Sequence, residues 1–205
     1  MKLAEAWKPY WEKRGKRAGA WPWLRFAAEC VSAKARVLDV GCGDGQLLEL
    51  LDGKGCRAEG IDVLPEAVAF CRSRGLQARV GDFLKLRHAG RYDAVVFSEV
   101  LAFVAEPEAF LVRARSLLAP NGIVIVTAGN AGSMWARLLR QRPPVVRPPV
   151  YYRTFTEVGL RRLAKRAGYR ISTWNSFSWV LGTRYRVRRL QGLRARHFVA
   201  VLEPR

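Results

Sequence analysis

The stretch VLDVGCGDGQ, residues 37–46, constrains the fold more than any other part of the chain. A short apolar run containing Asp39 enters a turn with glycines at 41, 43 and 45, and a helical pattern follows from about Gly45 to Leu51. Strand, glycine turn and helix in that order gather backbone N–H groups and a helix N-terminus around one small volume, where polar or anionic ligand groups are favoured. A dinucleotide turn wants G-x-G-x-x-G/A, but position 46 is Gln and the three glycines alternate strictly. Residues 37–47 also hold no Lys or Arg, which a phosphate cradle normally supplies. The pyrophosphate reading therefore loses ground. Asp62 follows Gly41 by 21 residues, the place from which a carboxylate reaches ribose hydroxyls in either cofactor class. A nucleoside is expected, its kind undecided.

Around that turn the chain alternates β-type runs with helical stretches, the pattern of a parallel sheet covered on both faces. RVLDV, EGIDV, QARVGD, YDAVVFS and GIVIVTA read as five strands, and right-handed crossovers make them a doubly wound sheet. Pro65 suits a first helical turn and Gly75 its stop; PEAFLVRARSLL puts apolar residues at 110, 111, 114, 117 and 118, a helical stripe ended by Pro-Asn-Gly. Thr156 is expected to cap a helix running to about Ala167, with Gly168 at its end. YRISTWNSFSW and HFVAVLE close the chain as two more strands, joined by the basic stretch GTRYRVRRLQGLRAR. Four prolines in RQRPPVVRPPVYY exclude a helix or a central strand there.

At 205 residues and 50% hydrophobic, the chain suits one core. It shows neither an apolar run long enough to span a bilayer nor a signal-type start, so a cytoplasmic protein without a transmembrane segment is expected. Cysteines at 30, 42, 56 and 71 form no CxxC pair, and His88 and His197 lie far apart, which fits neither a zinc site nor a disulfide framework. These cysteines read as small buried or half-buried apolar residues. The charge is uneven. Residues 36–127 carry 11 Lys/Arg against 12 Asp/Glu, residues 1–35 carry 8 against 3, and residues 128–205 carry 17 against 2. A neutral centre is flanked by basic ends.

Asp39-x-Gly41-x-Gly43-x-Gly45, then Asp62, then Gly81-Asp82-Phe83, then YDAVVFSEVL and LLAPNGIVIV resemble the successive motifs of class I S-adenosylmethionine-dependent methyltransferases, in a type 11-like arrangement. The resemblance covers about residues 36–127 and extends more weakly beyond 156. It implies an α/β, Rossmann-like, seven-stranded doubly wound sheet with a C-terminal antiparallel hairpin, preceded by an N-terminal helical lid (1–35) and interrupted by a basic Pro-rich insertion at about 130–153. It also implies that S-adenosyl-L-methionine is the cofactor and S-adenosyl-L-homocysteine the product. Asp39 and the backbone of Gly41, Cys42 and Gly43 would hold the methionine part. Asp62, followed by Val63, would accept from both ribose hydroxyls. Asp82 would accept from the adenine amino group, with the backbone and ring of Phe83 beside the base, and Ser98 would lie under the methionine moiety. No metal is implied.

Methyl transfer from a sulfonium is an in-line displacement in which positioning supplies most of the acceleration. A base is needed only if the acceptor must lose a proton, and the candidates are Glu99, Tyr10, Tyr151 and Tyr152. Many relatives of this pattern carry a histidine after the fourth strand, where this chain has Phe103. A small, possibly anionic acceptor is expected, with WKPYWEKRGKRAGAWPW resembling the aromatic lid of small-molecule methyltransferases. Two alternatives are an RNA or DNA methyltransferase using the basic flanks, and a cofactor-binding partner protein of low activity. The last follows from GNAGSMWARLLRQRPPVV and YYRTFT, which resemble MetW-type methionine-biosynthesis proteins. A cationic face with tryptophans would also suit peripheral contact with an anionic membrane.

Overall fold

The computed structural model describes residues 3–14, 20–86, 90–131, 153–180, 183–187 and 197–205. Its elements in chain order are α1 (Leu3–Arg14), α2 (Pro22–Glu29), β1 (Arg36–Val40), α3 (Gln46–Asp52), β2 (Arg57–Asp62), α4 (Pro65–Ser73), β3 (Ala78–Val80), β4 (Tyr92–Ser98), α5 (Pro107–Leu117), β5 (Leu118–Gly129), α6 (Glu157–Arg166), β6 (Tyr169–Val180), β7 (Thr183–Val187) and β8 (His197–Pro204). One sheet has the order β3-β2-β1-β4-β5-β8-β6-β7. Strands β1 to β5 pair in parallel, while β8 is antiparallel to both β5 and β6. All seven expected strands are present. The eighth, β7, lies within the basic stretch read above as a connection and pairs antiparallel with β6 at the sheet's edge.

Helices start and stop where the backbone chemistry allows. Pro22, Pro65 and Pro107 each open a helix, a position that needs no N–H partner. Thr156 accepts a hydrogen bond from the Gly159 N–H at 3.0 Å, and Gly168 follows α6 with φ +81°. Central strands are covered on both faces, so their residues are apolar throughout instead of alternating. On one face α5 and α6 pack Leu111, Ala114, Leu160 and Leu163 against Val95, Phe97, Val124 and Ala200. On the other, α2 and α3 pack Trp23, Phe26, Leu47 and Leu51 against Val37, Val96, Ile125 and Val199.

The expected division at residue 35 does not follow the packing. Helix α2 is part of the second core layer, with Trp23, Leu24, Phe26, Ala27 and Ala28 buried, because a hydrophobic sheet face left open would cost roughly 25 cal/mol per Å2. Only α1 remains outside that layer. Most of the Pro-rich insertion, residues 132–152, lies outside the described residues, as does His88. Among the described residues no helix is long and apolar enough to cross a membrane.

Lys54, just beyond α3, clamps the end of α2: its ammonium donates to the carbonyl of Ala28 at 2.8 Å, to that of Glu29 at 3.3 Å and to that of Val31. A cation at a helix C-terminus satisfies carbonyls that have no partner within the helix. Replacing Lys54 by Met should therefore lower the unfolding free energy by about 1–2 kcal/mol, read as a lower urea midpoint; an unchanged midpoint would contradict this role.

Candidate active site

The carboxyl ends of β1, β2, β3 and β4 bring the sequence candidates to one edge of the sheet. Leaving β1, Gly41, Gly43 and Gly45 take φ +71°, +52° and +78°, the left-handed region that disfavours other residues by roughly 1–2 kcal/mol each. The N–H groups of Gly41 and Cys42 both point to the Ile61 carbonyl, at 2.7 and 3.3 Å, stitching the turn to β2. Two of the glycines serve packing within the chain. A Cβ on Gly41 would stand 2.5 Å from Cγ2 of Val100, and one on Gly45 would stand 2.6 Å from Cδ1 of Leu76. The turn is bare there because neighbouring side chains close on it.

Asp62 ends β2 and is nine-tenths buried. One carboxylate oxygen accepts from the Gly43 N–H at 3.0 Å, the other from the Leu64 N–H at 2.9 Å. The side chain thus stands against the glycine turn, and a carboxylate oxygen can accept more than one donor. Val63 lies half-buried between the two bonds' anchor points. Asp39, within β1, is 2% exposed, and its Oδ1 has no hydrogen-bond partner. Burial above all, then Cys71, Asp62 and Asp44, pushes its carboxyl well above the usual carboxylate range. Gln46 donates to Asp44 at 2.8 Å, while its own carbonyl oxygen is a second buried acceptor lacking a donor. Arg74 reaches the Asp44 carbonyl at 2.9 Å from outside the turn, but its charge is engaged by Glu49.

Three aspartates and two orphaned acceptors gather around one turn, a setting suited to donors and positive charge. A diphosphate would meet repulsion there. The donor-bearing methionine ammonium and the sulfonium of S-adenosylmethionine match it, so the residues fit the cofactor implied by the resemblance.

At the neighbouring strand end Asp82 accepts from the Leu84 N–H at 3.0 Å and faces the Lys85 ammonium at 3.7 Å. It caps the short 3-10 turn Phe83–Lys85. The ring of Phe83 is 3% exposed and packs edge-on against Phe97 and at a tilt against Phe110, with centroids 5.4 Å apart in each case.

Past β4, Glu99 adopts φ +58°, and its N–H bonds the Thr127 carbonyl at 3.0 Å. A non-glycine residue in this region stores strain, and such strain concentrates at functional sites. Thr127, fully buried in β5, was not singled out by sequence because it lies inside an apolar run. Its hydroxyl lies 3.2 Å from that of Ser98 and donates to the Glu99 carboxylate at 3.4 Å. Helix α1 crosses toward this edge: Trp7 meets Phe103 edge-on at 4.9 Å, Trp11 meets Phe70 at 6.3 Å, and Lys8 faces Glu66 at 3.7 Å. Tyr10 lies in α1, its side chain outside the described set. Tyr151 and Tyr152 are outside the described residues altogether.

A family model described as a methyltransferase domain matches residues 10–173. The chain is 36% identical over 112 residues to a ubiquinone biosynthesis O-methyltransferase of Xanthomonas axonopodis pv. citri, covering 51% of this chain and 47% of that protein. It is 38% identical over 102 residues to the Azorhizobium caulinodans protein of the same name, covering 46% and 40%. The chain spans about half the length of the curated relatives it matches. Among solved structures, a methyltransferase in complex with the Haloferax volcanii Trm112 activator superposes with a TM-score of 0.77 at 19% identity, over 99% of this chain and 97% of that one. The Synechocystis magnesium protoporphyrin IX methyltransferase with bound S-adenosylhomocysteine gives 0.66 at 14%, over 98% and 94%. At such identities the likeness shows the fold alone.

Because the Asp62 carboxylate is bonded to the Gly43 N–H of the glycine turn, Asp62→Ala should weaken S-adenosylhomocysteine binding by roughly 1.5–3 kcal/mol. Isothermal titration measures this, and an unchanged dissociation constant would misplace the ribose.

Proposed function

The chain belongs to the methyltransferase-domain family, and from that premise we propose that it transfers the methyl group of S-adenosylmethionine to a small acceptor, through a hydroxyl oxygen. The observation that carries the reading is the buried Asp62 carboxylate seated on the glycine turn beside the orphaned Oδ1 of Asp39. The names of the curated relatives, O-methyltransferases of ubiquinone biosynthesis, support a small hydroxyl-bearing acceptor. The aromatic pair Trp7 and Phe103, one from α1 and one from the loop after β4, supports a planar one.

When bound, the cofactor supplies an electrophilic methyl on a sulfonium whose displacement leaves a neutral thioether. Asp39 and the Gln46 carbonyl would hold its ammonium, Asp62 its ribose hydroxyls, and Asp82 with the Phe83 N–H its base. Ser98 would stand under the methionine part. Glu99 is the candidate base: its backbone is pinned by the Thr127 carbonyl and its carboxylate by the Thr127 hydroxyl, so it can take a proton from an acceptor hydroxyl as the oxygen attacks. The remaining work of the chain is to exclude water and align the attack, which α1 would assist by spanning Phe70 and Phe103.

Nucleic acid is the less supported acceptor. On α6, Arg161 is paired with Glu157 and Arg166 with Glu108, both at 2.7 Å, and Arg170 on β6 is paired with Glu203. Paired arginines are poorly placed to neutralise phosphates.

Incubation with methyl-labelled cofactor and fractionated cell extract should put label into small molecules; label confined to RNA, DNA or protein would overturn the acceptor class. With an acceptor in hand, Glu99→Gln should lower turnover by about 10²–10⁴-fold while cofactor binding is kept. Undiminished turnover would leave that carboxylate without a proton to move.

A further inference from the structure

One hydroxyl lies inside an otherwise apolar stretch of strand. Thr127 is 0% exposed, and around it on β5 Val124, Ile125, Val126 and Ala128 are buried apolar residues. A valine would have the same shape and no polar group to bury, so the packing of β5 does not ask for a threonine. What the hydroxyl does have is polar neighbours. Thr127 is the register partner of Ser98 across the β4–β5 pair, and the two hydroxyl oxygens are 3.2 Å apart. It also donates to the Glu99 carboxylate at 3.4 Å, while the Thr127 carbonyl accepts the Glu99 N–H at 3.0 Å. One residue therefore holds Glu99 by main chain and by side chain.

The protons can be counted along this chain. An ionised carboxylate only accepts, and a threonine hydroxyl has one proton to give. With that proton on Glu99, the contact between the two hydroxyls takes its proton from Ser98. Donation then runs from Ser98 to Thr127 to Glu99, in one direction. Two further features fix its end. Glu99 takes φ +58°, a conformation that a residue other than glycine keeps only where surrounding contacts over-determine it. Val100, the next residue, is seated on the glycine turn, since a Cβ on Gly41 would stand 2.5 Å from its Cγ2.

We propose that Thr127 is a positioning residue for methyl transfer, its hydroxyl ordered by Ser98 and aiming the Glu99 carboxylate at the acceptor hydroxyl. The inference rests on the reading of Glu99 as the base. No bond is made or broken at Thr127. The acceptor proton passes to Glu99 as the oxygen–methyl bond forms and the sulfur–methyl bond breaks, and Thr127 limits the rotamers from which the carboxylate can receive it.

The test uses the full chain, methyl-labelled cofactor at saturation and the extract fraction that takes up label. Thr127→Val is expected to transfer label about 10–100-fold more slowly, with S-adenosylhomocysteine bound within about twofold of the native affinity. Thr127→Ser, which keeps the hydroxyl, should recover most of the rate. In a Glu99→Gln background the same valine should slow the reaction almost no further, because Thr127 acts through that carboxylate. Should Thr127→Val not fold, Thr127→Ala removes the same hydroxyl and carries the same expectations. An undiminished rate in Thr127→Val overturns the proposal. So does a full further loss in the Glu99→Gln background, which marks a role in the fold at large, and so does a loss traced to weaker S-adenosylhomocysteine binding. If Glu99→Gln alone is as fast as the native chain, or no fraction takes up label, the reading of the base fails and this inference falls with it. A slow Glu99→Gln beside a fast Thr127→Val defeats the inference alone.

Discussion

The crevice depends on one carboxylate. Through its two backbone bonds, to Gly43 and to Leu64, Asp62 ties the end of β2 both to the turn after β1 and to the start of α4. The turn after β1, which has no covalent link to β2 or α4 at this edge, is thereby held in one geometry with both. Without it the turn would lose the bond that holds the Gly43 N–H. Because a carboxylate oxygen accepts more than one donor, the same atoms that build the turn can still receive hydroxyl groups.

That arrangement is expensive in folding terms. Asp39 sits buried with an oxygen unpaired, next to two further aspartates and a thiol. A raised pKa in the folded state means that stability is lost as pH rises above the unfolded carboxyl value, so at neutral pH this group works against the fold. Nothing in the packing of β1 requires an acid there. The cost is offset only when donors and positive charge arrive, the usual relation between a strained site and its ligand. Glu99, in the left-handed region at the end of β4, is a second such investment a short distance along the same edge.

The five parallel strands were legible because strands covered on both faces read as apolar runs bounded by turn residues, and the caps at Thr156 and Gly168 because capping is local chemistry. Asp62 was singled out by its spacing from Gly41, whereas Asp39, Asp82 and Ser98 were singled out by the family resemblance; they lie within β1, just after β3 and at the end of β4. Strand β7 was hidden by its arginines, which read as a solvated connection, although an edge strand needs only one paired side. The packing role of Gly41 was hidden because its partner, Val100, comes from a distant loop. Thr127 was hidden in the GIVIVTA run, where its hydroxyl gains meaning only from Ser98 and Glu99 across the ladder. The burial of α2, likewise, follows from which sheet face is left uncovered, a property no local window contains.

The most direct trial of the central claim sets two adenosine ligands against each other on the reduced full-length chain. Calorimetric titration should give saturable one-site binding of S-adenosylhomocysteine and no heat with NAD, since the acidic crevice accepts an amino-acid tail and repels a diphosphate. Binding of NAD in preference, or a folded protein that shows neither heat nor a thermal shift with S-adenosylhomocysteine, would contradict it.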